Sequence, residues 1–141
     1  VFHIRGMLYA ISGGDKNHWL EQPNGGEVYY VGDTNGIDVQ WRYKGDGIGT
    51  CEIYYSDDGG SSNWFSVATV AYNKNESGGI CTHNMAVPPN AGQQYKVKIY
   101  QTSDETYTYA ISQQDFVLKG DVILQLDPPA PGMTEGSQRP G

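Results

Sequence analysis

Basic residues are scarce in this sequence. Only 9 of its 141 residues are lysine or arginine, against 16 aspartates and glutamates, and the formal net charge is -7 at pH 7. Phosphate backbones and anionic lipid surfaces are bound by clusters of basic side chains. We therefore expect neither nucleic acid nor an anionic membrane surface as a partner. The low total charge, together with 19 glycines and 11 tyrosines, suits an all-β protein exposed outside the cell.

Long apolar segments are also missing. No stretch approaches the roughly 20 consecutive apolar residues that a membrane-spanning helix requires, so membrane insertion is not expected. Residues 1–11 are largely apolar, but Arg5 interrupts them and no cleavage pattern of a secretory leader follows. No segment of useful length shows helical periodicity. A chain of this length is expected to form one domain.

Cysteine is nearly absent, since Cys51 and Cys81 are the only two. Two cysteines outside a CxxC motif do not make a zinc site. Both lie in strand-like runs, and we predict that they form a disulfide. Closing a loop of about 30 residues would stabilise the fold by roughly 3.5 kcal/mol, and it would place the protein in an oxidising compartment. The alternative is a pair of buried free thiols that pack as small apolar groups.

Motifs of catalysis and metal binding are missing as well. The sequence has no HExxH zinc motif and no GxSxG nucleophile turn, and no pair of carboxylates is singled out. We therefore expect a protein that is not an enzyme and that has no cofactor and no transition-metal site. Calcium is the one metal for which oxygen ligands are available in turns, although no EF-hand spacing is present. Those carboxylates are Asp46, Asp57 and Asp58.

What the sequence does contain is a series of short segments that alternate apolar and polar residues. In the clearest one, Ile37, Val39, Trp41 and Tyr43 fall on one face, as in a strand of an antiparallel sheet with one buried side. Turn signals recur every 8–12 residues, which is typical of a β-sandwich. We predict an all-β chain with an N-terminal extended arm over residues 1–18, an antiparallel sandwich over 19–126 and an extended Pro/Gly-rich tail over 127–141.

A family resemblance follows from the order of these segments. The run Pro23–Glu27, then Gly32-Asp33 and then Ile37–Trp41, resembles the opening of the Kre9/Knh1-like domain of Ser-Thr-rich, glycosylphosphatidylinositol-anchored proteins. The likeness extends over about residues 19–118, and its later parts are Cys51–Ser56, Asp58–Gly60, Trp64, Ala86–Pro88, Tyr95–Ile99 and Ser112–Leu118. It implies an immunoglobulin-like or fibronectin-III-like sandwich at the cell surface or outside the cell, and it implies no catalysis. The chain departs from the pattern at Met85, where an aromatic residue is usual, and in its two cysteines.

The hairpin loop after residue 55 has a second recognisable pattern. Ser56, Asp58 and Gly60, followed by Trp64, resemble the Asp-box turn of sialidases with one extra residue before the tryptophan. In such a turn the carboxylate binds loop amides and the indole packs beneath them. We therefore expect a structural role for this loop.

Tyrosines are too numerous to be all in the core. Tyr54 and Tyr100 occupy the outward phase of their strands, and Tyr107 and Tyr109 follow nearby in the sequence. Exposed tyrosine provides flat contact area with a hydrogen-bonding tip. These four residues are our candidate surface for a ligand or partner. Stacking on sugar rings, a protein interface and simple cross-strand pairing all remain open.

The N-terminal arm suggests how such a module would be used. Its apolar residues could add as a donor strand to the open sheet edge of another copy, and addition that does not close makes a filament. These residues are Phe2, Ile4, Met7, Leu8, Tyr9 and Ile11.

Our leading hypothesis is an extracellular structural subunit that assembles with other copies of itself, as a filament or surface array. The alternative is a carbohydrate-binding or adhesive module, with polysaccharide as the partner, in which the arm is the first strand of the sandwich or the end of a preceding linker. The triplet beginning at Asn75 is a candidate N-glycosylation site.

Overall fold

The computed structural model describes residues 6–11, 18–45 and 47–120. Throughout these residues the regular structure is β-strand, and no helix that could cross a membrane is found among them. The strands, in chain order, are β1 (Met7–Tyr9), β2 (Val28–Tyr30), β3 (Ile37–Lys44), β4 (Thr50–Ser56), β5 (Phe65–Ala71), β6 (Cys81–Met85), β7 (Gly92–Gln101), β8 (Tyr109–Ile111) and β9 (Phe116–Lys119). The predicted all-β class is confirmed.

The strands form two sheets. The smaller has the order β1-β3-β6, and the larger has the order β2-β9-β7-β4-β5 with β8 paired to β7. All pairings are antiparallel except that of β2 with β9, which is parallel. Strand β7 pairs with β9 near its start and with β8 near its end, so β8 and β9 act as two halves of one interrupted strand.

The core lies between the two sheets and follows the period of two in the sequence. Ile37, Val39 and Trp41 of β3 are completely buried, and Ile53 and Ile99 are buried opposite them in the larger sheet. The indole nitrogen of Trp41 donates to the carbonyl oxygen of Tyr72 at 2.7 Å, so the largest core side chain has its polar atom satisfied.

The segment from residue 18 to residue 31 hydrogen-bonds to both sheets. Leu20 donates its amide to Ile111 in β8, while Gln22 accepts from Gln40 in β3 at 2.8 Å. Further along, the amide of Gly26 donates to the carbonyl of Asp115 just before β9. This one segment of the chain therefore connects the two sheets by backbone hydrogen bonds.

The turn Pro23–Glu27 has a definite physical basis. The two carboxylate oxygens of Glu27 accept the amides of Asn24 and Gly25, each at 2.7 Å. Gly25 has φ of +139°, and a Cβ there would lie 2.7 Å from the Cβ of Gln114. Both the left-handed backbone and the close approach require glycine at this position.

Part of the predicted N-terminal arm pairs within its own chain. Strand β1 pairs antiparallel with β3 of its own chain, with Leu8 opposite Tyr43. Leu8 and Ala10 are completely buried, whereas Ile11 is 63% exposed. Residues 7–9 of the predicted arm therefore form a strand of the sandwich. Phe2 and Ile4, the last part of the predicted sandwich at 121–126 and the predicted tail at 127–141 lie outside the described residues.

Leu8 provides a direct test of this placement. Replacing Leu8 by Ala should lower the free energy of unfolding by about 2–5 kcal/mol, because it leaves a cavity in the core. Ile11→Ala is the control and should change it by no more than about 0.5 kcal/mol. Urea denaturation followed by tryptophan fluorescence measures both, and equal effects of the two substitutions would contradict the buried position of β1.

Candidate functional site

The outer face of the larger sheet carries two rows of side chains. Because directly opposed residues share a face of a sheet, the pairing of Lys98 with both Tyr54 and Ile111 forms one row. The pairing of Tyr100 with Glu52 and Tyr109 forms the next. Three of the four predicted surface tyrosines are thus brought together by strand register.

The ammonium group of Lys98 is the centre of this face. Its Nζ atom lies 4.2 Å from the ring centroid of Trp64, 5.4 Å from that of Tyr100 and 6.0 Å from that of Tyr54. Cations are attracted to the faces of aromatic rings at such distances. Nζ also lies 3.4 Å from a carboxylate oxygen of Glu105.

Glu52 organises the two central tyrosines. Their rings stack with centroids 5.8 Å apart, and the hydroxyls of Tyr54 and Tyr100 donate to Oε1 of Glu52 at 3.3 and 3.4 Å. Burial, followed by the hydrogen bond with Tyr54, raises the pKa of Tyr100 well above its ordinary value. The Tyr100 hydroxyl is therefore a neutral hydrogen-bonding group at physiological pH.

A groove of about 280 Å³ opens beside this cluster. Its lining combines aromatic faces with one positive and one negative side chain: Gly60, Trp64, Lys98, Tyr100, Glu105, Tyr109 and Ile111. At its far side the ring of His18 stacks on Tyr109, with centroids 4.2 Å apart. We call this cluster of lining residues the aromatic groove.

Tyr107, the fourth predicted tyrosine, is not part of the aromatic groove. It is 59% exposed in the turn between β7 and β8. Conversely, the site contains three residues that were not predicted to be part of it, namely Trp64, Lys98 and Glu105. Lys98 could have been predicted, because it lies two residues before Tyr100 in β7 and therefore on the same face of the strand. Glu105 could not, because it reaches the groove from a loop that has no periodicity.

The hairpin between β4 and β5 confirms the structural role expected for Asp58. Its carboxylate accepts the hydroxyl of Ser56 at 2.6 Å and the amides of Ser61, Ser62 and Asn63, each at 3.1 Å. The hydrogen bond from Ser56 is the main cause that lowers the pKa of Asp58 to about 2. The loop so closed carries Gly60 against Trp64, where a Cβ would lie 3.1 Å from the indole.

The predicted disulfide is not formed in the structure. Cys51 and Cys81 are free thiols, and both are completely buried in the core. Burial raises the pKa of Cys51 to about 12 and that of Cys81 to about 11. The alternative of two buried thiols describes this arrangement.

The remaining predicted sites lie apart from the groove. Asn75 is exposed, with φ of +52°, and its side-chain amide donates to the carbonyl of Thr82 at 3.4 Å. No group of three or more potential metal ligands occurs in the described part of the chain. Of the carboxylates considered for calcium, Asp58 binds loop amides and Asp46 lies outside the described residues.

No family model matches the chain, and no curated protein matches it. A solved structure of a superoxide reductase (neelaredoxin) from Ignicoccus hospitalis is similar over 71% of this chain and 77% of that chain, with 13% sequence identity and a TM-score of 0.43.

This neighbour contradicts the prediction that the chain is not an enzyme, because it is an enzyme by name, and we withdraw that prediction. At this identity and TM-score the likeness assigns no activity and no cofactor to this chain. The resemblance to the Kre9/Knh1-like domain stays a prediction.

The Asp58 loop should respond to pH in a defined direction. The folded pKa of about 2 is below the ordinary value of 3.8, so the ionised carboxylate stabilises the fold above that value and the contribution is lost as the pH falls towards 2. Asp58→Asn should lower the melting temperature at pH 7, and its difference from the native chain should shrink between pH 4 and pH 2. Asp57→Asn is the matched control. A difference that is the same at all pH values would contradict this role.

The two thiols should be unreactive in the folded chain, because burial and raised pKa values suppress the thiolate. A colorimetric thiol reagent at pH 8 should detect none in the native protein and two per chain in denaturant. If the reagent detects none in denaturant without a reductant, the cysteines are bonded and the free-thiol arrangement is wrong.

Proposed function

We propose that this chain is an extracellular glycan-binding module and that the aromatic groove is its binding surface. The observation that carries the proposal is the convergence of Trp64, Tyr100 and Tyr109 on one open groove. Sugar rings present apolar C–H faces and a rim of hydroxyls. Aromatic faces bordered by charged hydrogen-bonding groups are complementary to both parts.

The strand order supports an immunoglobulin-like or fibronectin-III-like assignment within this proposal. A three-stranded sheet faces a larger sheet, and the N-terminal part of the chain contributes to both. Such sandwiches are common in cell-surface proteins. The assignment agrees with what the Kre9/Knh1-like resemblance implies about an extracellular location.

The position of β1 favours glycan binding over our leading hypothesis of assembly. In the glycan-binding alternative, the arm is either the end of a preceding linker or the first strand of its own sandwich. Strand β1 occupies that place, since it pairs with residues 42–44 of β3 in the same chain. The arm residues Met7–Tyr9 are therefore already used within the monomer.

A polysaccharide retention assay tests this function. The native chain should be retained on at least one polysaccharide of a panel containing insoluble glucan, chitin, cellulose and acidic plant and bacterial polymers. Trp64→Ala should reduce the affinity by about tenfold or more, since stacked aromatic contacts carry much of such binding. Tyr107→Ala is the control, because this exposed tyrosine lies outside the groove, and it should bind normally. Retention on none of the polymers would contradict the proposal.

Self-assembly by strand exchange is a second candidate function. Strand β1 is an edge strand of three residues and pairs only with β3 among the described strands. If β1 left its own sheet and paired with β3 of another copy, it would make the same contacts there. This is the usual basis of domain swapping, and repetition without closure would give the filament.

A cysteine pair across β1 and β3 distinguishes exchange from the closed monomer. Met7 and Lys44 are directly opposite, and opposed residues of antiparallel strands lie within disulfide range. In Met7→Cys/Lys44→Cys, exchange should give a ladder of covalent oligomers on a non-reducing gel, and each single variant is a control. Only monomers with an internal bond, from a chain that still assembles, would contradict exchange.

A further inference from the structure

Lys98 is the feature of the aromatic groove that a neutral sugar does not explain. Its ammonium group lies among three aromatic rings with only 18% of its side chain exposed. Within the groove lining it is the one basic residue. A positive charge held over an indole, at the edge of an open groove, is a site for a negatively charged ligand group.

Glu105 forms an ion pair with Lys98, and this pair is weak. Its side chain is 59% exposed, and its carboxylate lies 3.4 Å from Nζ of Lys98. Exposed ion pairs contribute little and are screened by salt. A ligand carboxylate can therefore replace Glu105 on Lys98 with little loss, while Glu105 turns to solvent.

Aromatic rings close to a positive charge are complementary to a sugar that carries a carboxylate. The ammonium lies over the Trp64 ring, with Nζ 4.2 Å from its centroid, and the rings of Tyr100 and Tyr109 line the groove beside it. A uronic acid carries its carboxylate directly on the pyranose ring. One such unit can therefore stack on the aromatic groove and pair with Lys98 at the same time, whereas a neutral hexose leaves the Lys98–Glu105 pair unchanged.

The net charge of the whole chain does not attract an acidic glycan. The net charge is -7, so an anionic polymer is repelled at long range. Attraction must come from contact at the groove. A short oligosaccharide should then bind as well, per site, as a long polymer.

We propose that the aromatic groove is specific for acidic glycans and binds a uronic acid unit through its carboxylate on Lys98. This inference rests on the proposed glycan-binding function and names its ligand class.

Calorimetric titration with uronic acid oligosaccharides and their methyl esters tests the inference, because the esters keep the shape and remove the charge. Oligogalacturonate, oligoalginate and hyaluronate fragments serve as probes. At least one acid should bind about tenfold more tightly than its ester. Lys98→Gln should abolish that preference, and Lys98→Arg should keep most of it.

Two further variants complete the experiment. Glu105→Gln should strengthen binding of the acid by roughly threefold and leave the ester unchanged, since it removes the competing carboxylate. Lys96→Gln is the matched control, because Lys96 lies two residues earlier in β7 and pairs with Asp115 at 3.8 Å, outside the groove; it should bind like the native chain. Unchanged melting temperatures would show that the variants fold.

The outcomes separate the inference from the function on which it rests. If acid and ester bind equally, or if Lys98→Gln keeps the preference, the specificity for acidic glycans is wrong. Binding of neutral glycans that depends on Trp64 but not on Lys98 would leave glycan binding in place and overturn this inference alone. Binding of no saccharide at all would overturn both.

Discussion

The carboxylate of Glu27 closes the turn on which the rest of the sandwich depends. By accepting the amides of Asn24 and Gly25, it holds the chain in the one shape that fits against the loop before β9. There Asn24 accepts the amide of Gln113 at 2.9 Å through its side chain. A partly buried anion that binds two amides is a strong, directional contact, and it sets the point where the N-terminal segment joins both sheets.

The buried hydroxyl of Ser112 transmits that constraint to the groove. It donates to the carbonyl of Pro23 at 2.6 Å and accepts the amide of Val97 at 3.0 Å. Val97 directly precedes Lys98 in β7, and Ser112 directly follows β8, which carries Tyr109. The turn, the break between β8 and β9 and the outer face of β7 are therefore one connected unit. The aromatic groove is built on rigid strands rather than on loops alone.

The sequence predicted those parts of the molecule that depend on local pattern. The apolar residues Ile37, Val39 and Trp41 recur at every second position. This repeat of two predicts a strand and also shows which face of it is buried. The Asp58 turn was also predictable, because its hydrogen bonds join residues at most five positions apart. The pairing of β1 with its own β3 was not, because an apolar strand carries no information about which copy it joins.

The site was predicted only in part, for a related reason. Tyr54 and Tyr100 were predicted from their outward phase, and Tyr109 from the number of tyrosines nearby. Their meeting with Lys98 depends on register between three strands, which a single sequence does not define. Trp64 was correctly expected to pack on its hairpin, and what was missed is that its ring also lies under the Lys98 ammonium and lines the groove.

The hairpin loop that precedes Trp64 is held by hydrogen bonds from its own amides to the carboxylate of Asp58. Substitutions or insertions between residues 59 and 63 would move the indole relative to Lys98 while the two sheets keep their packing. The position of the indole is thus set by the hairpin loop, whereas the packing of the two sheets is set by the strands. Such a division allows drift in a single loop to reshape the groove while the scaffold beneath it is kept.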